Sequence, residues 1–418
     1  RNDEELQAVF AKAWTTMIVD ESHYMRNPQS RWTAAHNRLA QQCKYRFGAT
    51  ATPVPNAPSN MAGQCRALNA PRDFDPGDGG ELIDLQDVNA WIVEGRADKV
   101  DKRTSDAFRK AFMSVRALDC LNLPPVDEKI IRFETKLSSA SARAHNETLE
   151  QAKAIRIENG TEHNASKITG LLQKNQQRLV SDDLATKGAA FFKEHGIPRS
   201  IPETGALKAL LEQLRTNIAD GHTLNIVASF TVTMMRFAES FLKSCMAPEE
   251  LGEVYHLNGT DTSTPEKKAE VKEAFLGSAR AVLFLSIRAA GTGTHLVRSD
   301  GQRGCDSIIF WGSRPYTSDE VEQARARIHR IGQTEQVRVR HLIAFGSVDA
   351  AIDNLHSDKR GLSQAIVLGD WNSVESGTSR WKATARIADA CGYVNGVTGN
   401  LPQEPPEKKA AREKRETA

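Results

Sequence analysis

The 418-residue chain has little of several things, and each shortage excludes something. Its six cysteines (Cys43, Cys65, Cys120, Cys245, Cys305 and Cys391) lie far apart with no Cys-x-x-Cys pair, so their spacing offers neither a zinc finger nor a thioredoxin-like site. At that density, reduced intracellular thiols are the plain reading. No apolar run comes near the ~18 residues of a membrane span; Ala281–Leu285 is typical of the longest. Charge of one sign is lacking too. With 55 Lys and Arg against 53 Asp and Glu, the net of +2 excludes histone-like basicity and leaves nucleic-acid contact to local patches. No repeat of fixed period occurs, and the start at Arg1, without a signal-peptide pattern, reads as that of a fragment or a processed product.

What is present is ordinary for a globular chain, 39% apolar and 26% charged. At about 100–200 residues per domain, the length fits two to three domains. Trp14–Val19 is a short apolar run ending at Asp20-Glu21, and Tyr45–Ala49 is a second ending at Thr50-Ala51-Thr52-Pro53. Both read as strands of an α/β layer with polar clusters at their carboxyl ends, where ligands of open α/β sheets gather. Residues 71–103 turn acidic and Gly/Asp-rich, an exposed loop, and 105–193 are mostly helical in pattern apart from a strand at Glu128–Phe133. Further on, strands at Asn225–Ala228, Val254–Leu257, Ala281–Leu285, Ser307–Trp311 and Val337–Phe345 alternate with helices. One of those helices opens at Thr264-Pro265 and another covers Asp319–Ile331. The alternation predicts a parallel sheet covered by helices. Beyond Asp370 the apolar period is lost, and Pro402–Ala418 is expected to be disordered.

Four places can carry chemistry. Asp20-Glu21-Ser22-His23 sets two adjacent carboxylates after a strand. One can anchor a hydrated magnesium and the other can orient or deprotonate a water, although acids also suit the first turn of any helix. The hydroxyls of Thr50 and Thr52 before Pro53 also have a plain reading, as a turn. At about 100° per residue, Arg327 and Arg330 fall within about 40° of Gln323, while Val321, Ala324, Ile328 and Ile331 form a separate apolar stripe. Two guanidiniums on one spot suit a developing phosphoryl charge; a solvated charged face is the bland alternative. Finally, Gly291 and Gly293 follow a strand and allow backbone N–H groups to approach a phosphate, or make a turn.

In order, these pieces resemble the Swi/Snf-type DNA-dependent ATPases of helicase superfamily 2 over roughly residues 14–350. Ile18-Val19-Asp20-Glu21-Ser22-His23 with Met25-Arg26-Asn27 resembles their motif II, and Ala49–Pro53 with Asn56 resembles motif III. Asn225–Phe230 resembles motif IV, with His256–Thr260 similar to the short segment after it. Leu285–Gly293 resembles motif V. Gln323-Ala324 through Arg327 and His329-Arg330-Ile331-Gly332-Gln333 resembles motif VI, the most specific of the set. The family usually has glycine where Ala290 stands and an aspartate within the stretch Phe310–Pro315, and the spacing from Pro315 to Gln323 is a few residues longer here.

The resemblance implies an α/β fold of two RecA-like parallel-sheet lobes, the first incomplete, with a mostly helical insertion between them. Residues 1–70 would be the C-terminal part of lobe 1, 71–200 the loop and helical insertion, 201–356 lobe 2, and 357–418 a partly disordered extension. It also implies ATP and Mg2+, with Asp20 holding the metal through water and Glu21 activating the hydrolytic water. Arg327 and Arg330 would be arginine fingers, with Gln323, Gly291 and Gly293 at the nucleotide. His23, Thr50 and Thr52 would couple nucleotide state to lobe movement, and Ser229, Ser286 and Arg288 would lie near the DNA backbone or the interlobe cleft. The implied partner is double-stranded DNA, with nucleosomes or other DNA-bound proteins beyond it, and with no membrane and no zinc site. The implied location is intracellular: nuclear in a eukaryote, or the host nucleus or viral factory for a virus. The basic stretch Arg325–His341 could add phosphate contacts, unless its arginines are committed to the nucleotide.

The phosphate-cradling loop Gly-x-x-x-x-Gly-Lys-Ser/Thr does not occur in this sequence, and only 19 residues precede Asp20. Without that loop the β- and γ-phosphates lose their main cradle. The chain alone is therefore expected not to hydrolyse ATP. Keeping Asp20, Glu21, Arg327 and Arg330 together favours part of a working enzyme. The alternative is a truncated pseudo-ATPase that serves as a DNA- or protein-binding module.

Overall fold

The computed structural model describes residues 3–27, 29–50, 59–69, 73–74, 83–84, 121–158, 162–287, 295–297, 304–315, 318–354, 387–388, 390–395, 398 and 400–401. Thr52, Arg288, Gly291, Gly293 and the segment Pro402–Ala418 lie outside the described residues. The chain divides into two compact units, one of Arg1–Arg116, Thr317–Asp319 and His356–Ser379, the other of Ala117–Tyr316, Glu320–Leu355 and Arg380–Ala418.

In the first unit, α1 (Asp3–Phe10) precedes β1 (Thr16–Asp20), a single 3-10 turn (Ser22–Met25), α2 (Arg31–Ala40), β2 (Tyr45–Ala49) and α3 (Ser59–Ala67). The strands pair in parallel from Thr16 opposite Tyr45 to Asp20 opposite Ala49, so both expected carboxyl ends fall on one edge. Ser30 starts α2 by accepting the Thr33 N–H at 3.1 Å. Met17, Val19, Met25, Ala40, Cys43 and Ala67 bury together beneath the sheet. Gly63 lets α3 lie against the 3-10 turn, because a Cβ there would sit 2.2 Å from the Met25 carbonyl oxygen. Two short strands, β3 (Asp73–Phe74) and β4 (Ile83–Asp84), pair antiparallel within the acidic stretch.

The second unit is a six-stranded, all-parallel sheet. Its strands are β5 (Val126–Phe133), β6 (Leu224–Ser229), β7 (Glu253–Leu257), β8 (Ala281–Ser286), β9 (Ser307–Phe310) and β10 (Val337–Ala344), in the order β5-β10-β9-β6-β8-β7. The strand at 126–133 thus joins the sheet at its edge, beside β10. Both faces are covered. Val227, Val282, Phe284, Ile309 and Leu342 face one apolar cluster, while Ile226, Ala228, Leu283, Leu285, Ile308 and Val339 face the other. Double coverage is what parallel sheets require, and it explains the unbroken apolar runs of the central strands.

Three helices, α4 (Ser139–Glu158), α5 (Glu162–Val180) and α6 (Asp182–His195), follow β5. Next come α7 (Gly205–Ala219), α8 (Val232–Cys245), α9 (Pro248–Leu251), α10 (Pro265–Gly277) and α11 (Ser318–Arg325). Thr204 and Thr264 cap α7 and α10 with their hydroxyls. Leu149, Ala152, Ile168 and Leu172 of α4 and α5 pack with Val348, Ala351 and Ile352 and with Ile387, Ala388 and Cys391. The Asn146 amide clasps the backbone of Val394 from both sides, donating to its carbonyl at 2.9 Å and accepting its N–H at 2.8 Å. Ile387, Ala388, Cys391, Val394 and Leu401 therefore supply core, although the sequence there shows no apolar period.

Candidate functional site

Candidate residues lie in both units. In the first, β1 delivers Asp20 at its carboxyl end, and the chain turns at once. Glu21 takes a left-handed conformation (φ 51, ψ 45), a strained choice for a residue with a Cβ. Asp20 Oδ1 accepts the Glu21 N–H at 2.9 Å, and the Glu21 carbonyl accepts the Tyr24 N–H at 3.0 Å, closing the turn. Two buried side chains hold it. Ser22 Oγ donates to Gln64 Oε1 of α3 at 2.8 Å. His23 Nδ1 shares a hydrogen bond with Thr50 Oγ1 at 2.8 Å and stands 3.2 Å from Glu21 Oε2. Burial, and then the nearby Arg26 charge, hold the His23 imidazole below its usual range and so favour its neutral form.

One short path therefore runs from Glu21 through His23 to Thr50 at the end of β2. The Asp20-Glu21 pair and the threonine cluster that follow separate strands in the sequence are joined side chain to side chain. Gln64, which fixes the turn from α3, was not legible as a site residue, because nothing in its local sequence marks it.

In the second unit, the helix expected over Asp319–Ile331 ends at Arg325. The i→i−4 ladder gives way at Arg327, whose N–H bonds the Ala324 carbonyl at 3.2 Å, and the Arg327 carbonyl accepts the Leu296 N–H at 2.9 Å. The following residues make tighter turns, with Ile328 N–H on Arg325 O and Gln333 N–H on Arg330 O, and Gly332 takes a positive φ of 99°. Val321, Ala324 and Ile328 are buried as expected, but Ile331 is 68% exposed. Arg327 and Arg330 thus stand on turns beyond the helix rather than on its face, while Gln323 remains half-buried within α11.

Gln333 holds these turns together and explains why an amide serves at that place. Its Nε2 donates to Cys305 O (2.8 Å) and Ile328 O (3.0 Å), and its Oε1 accepts the N–H groups of Thr334 and Glu335, each at 3.1 Å. His329 Nε2 makes a 3.0 Å hydrogen bond with the Pro124 carbonyl. Arg330 meets the ring of His295, a residue that sequence reasoning passed over.

The expected basic patch at Arg325–His341 is not a free one. Arg325 pairs with Glu128 at 3.0 Å, Arg338 with Asp220 at 2.6 Å, and buried Arg340 with Asp127 at 2.5 Å. These partners lie far away in sequence, so the stretch reads as basic while three of its arginines are already matched. At the sheet's carboxyl edge, Ser229 of β6 and Ser286 of β8 stand opposite each other in register, 0% and 6% exposed. The Ser229 hydroxyl is buried without a hydrogen-bond partner among the described residues.

No family model matches the chain. It is 23% identical over 359 residues to the CHD3-type chromatin-remodeling factor CHR7 of Arabidopsis thaliana, a match covering 85% of this chain and 27% of that protein. It is 25% identical over 361 residues to the Chromodomain-helicase-DNA-binding protein 3 homolog of Caenorhabditis elegans, covering 85% of this chain and 19% of the relative. The chain therefore spans little more than a quarter of these curated relatives at most. Among solved structures, the Sulfolobus solfataricus SWI2/SNF2 ATPase core in complex with dsDNA is similar with a TM-score of 0.43 and 20% identity, over 88% of this chain and 73% of that one.

Proposed function

We infer that this Swi/Snf-type chain of helicase superfamily 2 is the C-terminal part of an ATP-dependent motor that moves along double-stranded DNA. The observation that carries the reading is the side-chain path from the Asp20-Glu21 turn through His23 to Thr50. It joins a carboxylate pair suited to hydrolysis to a strand end suited to relaying its state. A module that only binds has no use for such a path.

The donor set fits magnesium. Asp20 and Glu21 offer hard carboxylate oxygens at the exposed end of β1, and Mg2+ is commonly held by one or two carboxylates with its waters and a substrate phosphate. Asp20 would hold the ion through water; when bound, the ion neutralises charge on the phosphates. Glu21, whose carboxylate stands 3.2 Å from His23 Nδ1, accepts a proton from the attacking water. Arg327 and Arg330 supply guanidinium N–H groups to the γ-phosphate as it departs, with Gln323 beside them. His23 and Thr50, with Thr52, relay the change. Gly291 and Gly293 would serve the nucleotide, and Arg288, with Ser229 at the end of β6 and Ser286 at the end of β8, the DNA backbone. Bare or nucleosomal DNA is the substrate class, and the matching location is intracellular: the nucleus in a eukaryote, or the host nucleus or factory for a virus.

The test is DNA-stimulated ATP hydrolysis by the full-length form that carries the Gly-x-x-x-x-Gly-Lys-Ser/Thr loop. Glu21→Gln is expected to lower turnover by at least about 100-fold while DNA is still bound. That binding should weaken by orders of magnitude between about 50 and 200 mM salt. The 418-residue chain by itself should show no turnover. Hydrolysis that survives Glu21→Gln would sink the reading.

A further inference from the structure

On the reading just given, Arg327 serves the γ-phosphate, yet it stands on a turn, and a turn needs an outside hold to keep a side chain in place. Part of that hold comes from β5 and the two residues before it. Pro124 and Pro125 have no N–H and a fixed φ, so their stiff backbone offers carbonyls alone. The Pro124 carbonyl accepts from His329 Nε2 at 3.0 Å, and the Pro125 carbonyl accepts the Val337 N–H at 3.0 Å, where β10 begins. Within β5, Glu128 uses both oxygens. Oε2 accepts from Arg325 Nη1 at 3.0 Å, and Oε1 accepts from Nε2 of the buried His341 at 2.7 Å.

These contacts bracket Arg327. Arg325 lies two residues before it and His329 two residues after it, and both side chains are tied to the stretch 124–128. Gln333 and the Leu296 N–H hold the same turns through backbone atoms. The β5 side instead grips the side chains that flank the arginine. Arg325 also pairs with Glu322 one turn back in α11, so losing Glu128 severs the link to β5 without stranding the guanidinium.

We propose that Glu128 is a positioning residue for Arg327: together with Pro124 it clasps the side chains on either side of the arginine and so fixes the backbone from which Arg327 reaches. A group that meets charge developing in a transition state loses rate steeply when it is misplaced by even about 1 Å. The proposal rests on Arg327 being a phosphate-facing arginine. It gives a share in hydrolysis to a strand that carries none of the motifs and stands 197 residues before Arg325.

Two measurements test it, and the first needs no turnover. Hydrogen exchange is followed in the 418-residue chain and in its Glu128→Ala variant. The Arg327 and Ile328 amides should exchange about tenfold faster in the variant, as for loss of one charged hydrogen bond, while those of Ile226 and Leu283 keep their protection. Arg325→Ala breaks the same contact and leaves Glu128 with His341, so it decides where Glu128→Ala loosens the whole unit. Unchanged exchange at Arg327 and Ile328 in Arg325→Ala overturns the proposal. The second measurement is ATP turnover by the full-length form. Glu128→Ala and Arg325→Ala should each lower kcat about tenfold, with KM changed less than about twofold. In an Arg327→Lys background, where a flexible stem replaces the rigid fork, neither should lower kcat by more than about a further twofold. A merely structural loss would add in full there, and that result overturns the proposal. Should no form hydrolyse ATP at all, the functional reading fails, and hydrogen exchange still decides whether Glu128 holds the turn.

Discussion

β1 and β8 look alike in sequence, short apolar runs that end in a polar residue, yet they are covered very differently. All six residues of β8 are buried. β1 alternates, with Met17 and Val19 inside and Ile18 71% exposed, and its neighbour β2 is exposed throughout, with Phe47 at 55%. The cause is the number of layers. β8 lies between β6 and β7 with apolar clusters on both faces, whereas β1 has one described partner and one small cluster beneath it. An apolar run thus specifies a strand, but what covers it comes from elements distant in the chain.

The comparison breaks most readily through core deletions. Leu283→Ala, at a fully buried position in β8, should cost about 3 kcal/mol, because it removes apolar burial and leaves a cavity. Ile18→Ala should cost less than about 0.5 kcal/mol, as expected for an exposed site. Denaturant unfolding checks the first through the fluorescence of buried Trp311, and hydrogen exchange of the β1 and β2 amides checks the second. A loss at Ile18 as large as that at Leu283 would mean that the outer face of β1 is covered in solution.

The second unit also buries titratable groups, which the sequence could not show. Burial pushes the Asp349 carboxyl up from 3.8 to about 6, even though the Arg314 N–H (3.1 Å) and Gln176 Nε2 (2.6 Å) donate to it. Burial pushes the His145 imidazole down from 6.5 to about 4. The two act in opposite directions. The Asp349 contribution is complete below its unfolded pKa and is lost as pH rises through about 6; that of His145 is complete above its unfolded pKa and is lost as pH falls towards 4. At about 1.4 kcal/mol per pH unit, each is on the order of 3 kcal/mol, so they largely offset each other. Relative to wild type, Asp349→Asn should lose stability faster on acidification and His145→Gln should lose it more slowly, read as denaturant midpoints between about pH 4.5 and 7. Variants that shift in the same direction would refute the opposed signs.

Legibility followed the range of the interactions. The Asp20-Glu21 turn could be read because its residues are contiguous and sit at the end of a periodic run. Most strands of the larger sheet could be read because burial on both faces makes them uninterrupted. The wheel that placed Arg327 and Arg330 on one helix face failed because the helix gives way to tighter turns from Arg327, which the side-chain period does not reveal. The acids that match the basic stretch, Glu128, Asp220 and Asp127, were illegible because they are remote in sequence. Residues 387–401 gave no signal because they enter the core singly, as Ile387, Cys391, Val394 and Leu401, rather than as one face of a repeating element. His295 was illegible for a related reason: its partner is 35 residues away.

The sharpest use of the comparison sets two small effects against each other. With its outer face exposed, β1 cannot hold the Asp20-Glu21 turn by packing alone, and the turn depends on Ser22 with Gln64 and on His23 with Thr50. Thr50→Val keeps the shape of the side chain and removes its hydroxyl, which should cost the first unit about 1 kcal/mol. That exceeds the loss expected from Ile18→Ala, reversing the usual order in which an apolar truncation outweighs a single hydrogen bond. Hydrogen exchange of the β1 and β2 amides in both variants reads the two losses on one scale. If Ile18→Ala proves the more costly, packing holds the turn and the His23 bridge is incidental to stability. If Thr50→Val does, the bridge that relays the site's state is also what keeps the site in shape.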